Sequence, residues 1–171
     1  MSNMIKPKRI FVVGHMGAGK FLFTEALAKK LGWQLIDANP SLERYVGRNF
    51  IEIFGKQGEA AFHQCEAEII SHHINNKKHF VMVMEESVIA TEENRKLLAS
   101  EYVIYLKVST ATQIERMKDG RVSLLPIADL KEFLDKQHIE RDHLFEEVAT
   151  LIIDSVGVDE DVNTTMKAIE E

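Results

Sequence analysis

A chain of 171 residues with 45% apolar and 28% charged residues fits one globular domain, bounds 1–171, with room for a sizeable core. Its formal net charge of −6 removes any electrostatic case for nucleic-acid binding, so an anion has to be held by a local site. One cysteine, Cys65, excludes an intramolecular disulfide and fits a reducing compartment.

The first informative stretch runs from Arg9 to Phe21. Ile10–Val13, β-branched and aromatic, predicts a buried strand, and Leu22–Leu31 has apolar residues at helical spacing. Between them stand Gly14, Gly17, Ala18, Gly19 and Lys20. Glycines let backbone N–H groups turn towards an anion, the helix start adds its positive dipole end, and Lys20 can reach outer phosphates. The spacing matches the P-loop pattern G-x-x-x-x-G-K-S/T except at the last position, where Phe21 replaces a magnesium-holding hydroxyl. Residues Gly14, Gly17, Ala18, Gly19, Lys20 and Phe21 are therefore the candidate nucleotide-binding set. His15 falls at a position the pattern leaves open and is assigned no catalytic part.

Gly32 ends the first helix, Trp33–Ile36 predicts a second strand, and Asp37 follows at its end, where α/β sheets place functional side chains. Ser41–Val46 reads as helical, and Glu59 to about Asn76 as a long helix with Phe62, Cys65, Ile69, Ile70 and Ile74 on one face. Cys65 is then a small buried hydrophobe rather than a nucleophile. His72 and His73 point to different helix faces, which argues against a metal site there. His79–Met84 and Tyr102–Val108 predict strands, with Met82 and Met84 in the core, and Thr91–Ser100 predicts a helix between them. Thr110 and Gln113 suggest a capping box for a helix ending near Gly120. Arg121–Pro126 reads as loop, Asp129–His138 as helix, Leu144–Val148 as a further helical turn, Leu151–Ile153 as a fifth strand and Asp159–Glu170 as a closing helix. Alternating strands and helices predict a three-layer α/β/α fold on a five-stranded parallel sheet. The chain ends, Asn39–Gly58 and the loop around Arg121 are the expected mobile parts. Met1–Lys8 lacks an apolar core of signal-peptide length, and no segment approaches membrane-spanning length, so the expected location is cytoplasmic with no membrane partner.

Beyond the loop, Trp33-Gln-Leu-Ile-Asp37, Gly55-x-x-Gly58-Glu59-x-x-Phe62 and Arg141-x-x-Leu144-Phe145-Glu146-Glu147-Val-Ala149 occur in order. These landmarks resemble those of shikimate kinases over roughly Lys8 to Met166. The resemblance implies a P-loop NTPase fold of the nucleoside-monophosphate-kinase type with a lid around 119–127. It also implies transfer of the γ-phosphoryl group of ATP to the 3-hydroxyl of shikimate. On it, Lys20, Asp37 and the lid residue Arg121 become catalytic candidates, Asp37 helps hold hydrated Mg²⁺, and Arg141 clamps the shikimate carboxylate.

The departures fall at the chemistry. Phe21 stands at the metal-binding hydroxyl, Asn39 at a second aspartate, His63 at a second clamping arginine, and Glu85, Glu86 and Ser87 at three glycines. Phe21 reads as core packed beneath the loop, and Mg²⁺ affinity is expected to fall in any case. Asn39 also fits an N-cap ahead of Pro40. Asp37 reads equally as a strand-end turn residue, and Arg141 as an ordinary surface or helix-end residue paired with Glu146 or Glu147. Asn39, His63, Glu85, Glu86 and Arg141 form the candidate acceptor set. Replacing an arginine clamp by histidine costs about 2–5 kcal/mol of recognition, and two glutamates repel an anion if they face inward. The expectation is a nucleotide-binding protein with little or no shikimate kinase activity and a regulatory or partner-binding role. The rival readings are an ATP-dependent kinase acting on another small hydroxylated molecule, and a slow genuine shikimate kinase.

Overall fold

The computed structural model describes residues 6–38, 64–117 and 127–170. Asn39, His63 and Arg121 lie outside the described residues, as do the Ser41–Val46 helix, the Gly55–Phe62 signature and nearly all of the expected lid.

Strands β1 (Arg9–Val13), β2 (Gln34–Asp37), β3 (Phe80–Val83), β4 (Tyr102–Lys107) and β5 (Leu151–Asp154) form one sheet in the order β2-β3-β1-β4-β5. Every pairing is parallel, with Ile10 opposite Val81 and Tyr102, and Asp37 opposite Val83. β1 and β3 are apolar at consecutive positions because both sheet faces are covered. On one face Phe11, Val13, Phe80, Met82, Val103 and Tyr105 meet Ile69, Ile70, Leu98 and Phe145. On the other, Ile10, Val12, Val81, Ile104 and Ile153 meet Phe23, Leu27, Val162 and Ile169. Alternate residues of each strand thus feed two separate cores, giving the three-layer α/β/α arrangement.

The helices are α1 (Lys20–Leu31), α2 (64–76), α3 (Glu92–Ala99), α4 (Thr110–Met117), α5 (Ile127–Val148) and α6 (Val158–Glu170). α2, α3 and α5 cover the first face and α1 and α6 the second. Gly32 stops α1 as expected: at φ 72° its N–H reaches back to the carbonyls of Ala28 and Lys29. Met82 and Met84 are buried, and half-buried Cys65 packs against the first core. His73 is buried on α2 while His72 is exposed, as their expected opposite facing requires.

Two local readings are corrected. The start of α4 is capped by Ser109, whose Oγ accepts from the Thr112 N–H at 3.1 Å; Thr110 instead donates to Asp135. Gln113 is fully buried and points away from the helix end. The segments read as Asp129–His138 and Leu144–Val148 are one 22-residue helix. After β3 the chain makes a 3₁₀ turn, Glu86–Ala90, whose last turn is held by Arg95 Nη1 donating to Ile89 O at 2.8 Å. Among the described residues no helix is long and apolar enough to cross a membrane.

Candidate phosphate-loop site

All five strands run the same way, so their C-terminal ends share one edge of the sheet. That edge is where ligands of open α/β sheets are held. It gathers the Gly14–Gly19 loop after β1, Asp37 at the end of β2, and Glu85 and Glu86 just past β3. Met84 N–H donates to Val12 O at 3.0 Å, which fixes the exit of β3 against the end of β1.

The loop's shape depends on glycine where the sequence places it. Gly14 has φ 153°, and a Cβ there would lie 2.7 Å from the backbone oxygen of Leu106. Gly17 and Gly19 have φ 75° and 84°, in the left-handed region that side chains disfavour. Gly19 is the N-cap of α1 and offers no side chain, so no cap group satisfies the first-turn N–H groups, and the first turn holds no acidic residue. Unsatisfied N–H groups at a helix start suit an anion. Two side chains of α4 grip the loop from outside: Gln113 Nε2 donates to Met16 O at 2.7 Å and Arg116 Nη1 to Ala18 O at 2.6 Å. Arg116 also donates to Ser155 Oγ, which in turn donates to Asp161.

Lys20 folds over this loop, its ammonium donating to the carbonyls of Gly14 (2.8 Å) and His15 (3.0 Å). Burial pushes its pKa down, opposed by the charges of Glu86 and Glu85. Both glutamates are half-buried, and their charge acts on the lysine that would meet the outer phosphates.

Phe21 corrects an expectation. It is 41% exposed, with Leu22 beside it at 59%, so it does not pack beneath the loop as core. The buried positions of α1 are Phe23, Thr24, Leu27 and Ala28, and the rotation of the helix turns Phe21 outward. Phe21 offers no oxygen ligand, which leaves half-buried Asp37 as the described residue of the expected metal set; the helix start does not fit a directly ligated Mg²⁺. Arg141 lies inside α5 rather than at a helix end. The glutamates considered as its partners pair elsewhere, Glu146 with Lys107 at 3.5 Å and Glu147 with Arg95 at 4.0 Å.

Two groups of residues escaped the sequence reading. Buried Glu66 of α2 accepts from Ser87 Oγ and Asn94 Nδ2, both at 3.4 Å, and so ties α2 to the segment after β3. His15 is 2% exposed, with Nε2 2.6 Å from Asp142 Oδ1 and its ring 4.1 Å from that of His138. Burial lowers the His15 pKa to about 4 against the raising effect of the Asp142 hydrogen bond. Burial alone would raise the Asp142 carboxyl, but the His15 and His138 contacts outweigh it and the net shift is downward. Burial and the Asp142 charge hold Tyr105 well above the usual phenol range. Partners 127 positions away in the chain leave no local trace in sequence.

The shikimate kinase family model matches residues 16–170. A shikimate kinase of Francisella tularensis subsp. holarctica is 33% identical over 156 residues, covering 90% of this chain and 89% of that protein. The shikimate kinase of Acinetobacter baumannii, solved in complex with shikimate, superposes with a TM-score of 0.83 at 28% identity, over 96% of this chain and 93% of that one. A deoxyadenosine kinase from M. mycoides with bound dATP shares the fold at TM-score 0.60 and 18% identity, over 96% of this chain and 100% of that one. Five-stranded parallel sheet, glycine loop and whole-length similarity agree: the chain belongs to the shikimate kinase family.

Proposed function

We propose that the chain binds a nucleoside triphosphate on the Gly14–Phe21 loop, and that phosphoryl transfer to shikimate, the family's reaction, is weak or lost in it. The loop supports the first half. Its glycines adopt the conformations a phosphate cradle needs, and Lys20 stands at the start of α1. The observation that carries the second half is the charge of Glu85 and Glu86 acting on Lys20. Phosphoryl transfer works by positioning and by cancelling developing negative charge. Two carboxylates beside the lysine oppose both the anionic donor and an anionic acceptor. Phe21 further removes an oxygen from the expected cation shell, leaving Lys20, Asp37 and Arg121 as the residues available for chemistry.

A second reading rests on the same carboxylates. An acidic acceptor side suits a neutral or cationic hydroxylated molecule better than a carboxylate, which would make the chain an ATP-dependent kinase of different specificity. If neither transfer occurs, nucleotide occupancy serves a regulatory or partner-binding role.

Thermal stabilisation by ATP with and without Mg²⁺, together with ADP release in the presence of shikimate or a panel of polyols, tests both halves. Stabilisation that needs no Mg²⁺, with negligible shikimate-dependent turnover, is the expected result. Robust turnover with shikimate overturns the proposal, and turnover with a polyol alone selects the second reading.

A further inference from the structure

We propose that His15, His138 and Asp142 form a binding site for a first-row transition-metal dication of the Zn²⁺ type, which clamps the phosphate loop to helix α5. The site is separate from the Asp37 and Phe21 region considered for Mg²⁺, and it does not depend on the chain being an active or an inactive kinase.

One ligand atom from each of the three residues lies within 4.8 Å of the other two. Asp142 Oδ1 is 2.6 Å from His15 Nε2 and 2.9 Å from His138 Nδ1. Ligand bonds of about 2.0 Å in a tetrahedron separate the donor atoms by about 3.3 Å. The Asp142 oxygen therefore has to draw back from both histidines by roughly half an ångström to admit the ion, while the His15 and His138 donors, within 4.8 Å of each other, adjust to the same spacing.

The surroundings orient the ligands. Gln113 donates its amide N–H to Met16 O, so the amide oxygen is what faces His138 Nε2 at 2.6 Å. That contact makes Nε2 the N–H-bearing nitrogen and turns Nδ1 towards Asp142. Metal-bound histidines characteristically hold their outer N–H on an oxygen acceptor in this way. With both histidine nitrogens directed at one carboxylate oxygen, either protons or a cation must lie between them. Tyr105 OH donates to the same oxygen at 3.3 Å, and His15 is wedged between the rings of His138 and Phe145.

Two imidazoles and one carboxylate suit Zn²⁺, Co²⁺ or Ni²⁺ better than Mg²⁺ or Ca²⁺, which favour all-oxygen shells. An open groove of about 490 Å³ reaches His138 and Asp142 past Ser109, Thr110 and Ser155, giving an entry path and room for a solvent ligand. Because the His15 carbonyl also receives the Lys20 ammonium, an ion on the His15 ring would hold the backbone that Lys20 rests on.

Equilibrium dialysis of the metal-free full chain against Zn²⁺, without nucleotide, tests the site. One Zn²⁺ per chain is expected, with a rise in Tm. Asp142→Asn, which keeps volume, should weaken binding more than about 100-fold, and Gln113→Ala, which removes no ligand, about 10-fold or more. His72→Ala and His143→Ala should leave it unchanged. Absence of stoichiometric Zn²⁺, or binding that survives Asp142→Asn or vanishes with His72 or His143, overturns the proposal. Should Asp142→Asn fail to fold by circular dichroism, an undiminished affinity in Gln113→Ala overturns it as well.

Discussion

The two halves of the sheet's C-terminal edge are built on different principles. On the β1 side the ligand-facing groups are backbone N–H groups, shaped by Gly14, Gly17 and Gly19 and backed by one lysine. On the β3 side the groups are side chains, Glu85 and Glu86, standing where the family resemblance places glycines. Backbone recognition survives substitution of most neighbours, since only the path of the chain matters. Side-chain recognition changes with each residue. The difference teaches that one sheet edge can hold a part fixed by the path of its backbone beside a part that each substitution rewrites.

Breaking the first half should have the largest effect. Lys20→Ala is expected to remove about 2–5 kcal/mol of nucleotide binding and to abolish the ATP-induced rise in Tm. An unchanged rise would show that the loop amides act alone. Next, combining Phe21→Ser, His63→Arg and glycine at Glu85, Glu86 and Ser87 should convert the second half towards its relatives. Shikimate-dependent ADP release is expected to increase at least about ten-fold, and no increase would place the loss elsewhere. Gly17→Ala should cost about 1–2 kcal/mol of stability in urea unfolding, because its φ of 75° is strained for any side chain. The Met117 side chain 3.0 Å from the added Cβ can give way, but the Gln113 backbone oxygen at 3.3 Å yields less, so contact adds to that cost.

The smallest effect is expected from His73, buried on α2 with Nδ1 2.9 Å from Ile69 O. Burial lowers its pKa from 6.5. On acidification the unfolded chain takes up this proton first, so the contribution is intact above about 6.5 and declines as pH falls below it. His73→Phe should flatten the acid limb of stability against pH while leaving the ATP shift at neutral pH unaltered.

Much of this edge was legible in sequence because its determinants are local. Ile10–Val13 and the apolar run ending at Met84 mark strands covered on both faces, and the glycine spacing marks the loop with Lys20 at its end. Readings failed where a polar side chain bonds far away. Gln113 looked like half of a capping box, yet it is spent on Met16 and His138. The gap read between His138 and Leu144 is helical throughout. There the inward face of α5 carries His138 and Asp142, which meet His15 and Tyr105 rather than hydrophobes, so apolar periodicity lapses without the helix doing so. Phe21 failed differently: an apolar identity does not reveal which way the first turn of a helix faces.

Arg116 joins the carbonyl of Ala18 to Ser155, and Ser155 is held by Asp161 near the start of α6. The glycine loop is thus buttressed at second hand by α6: slackening Asp161 would free Ser155 and, through Arg116, the carbonyl of Ala18. A change in α6 should therefore be felt as weakened phosphate affinity.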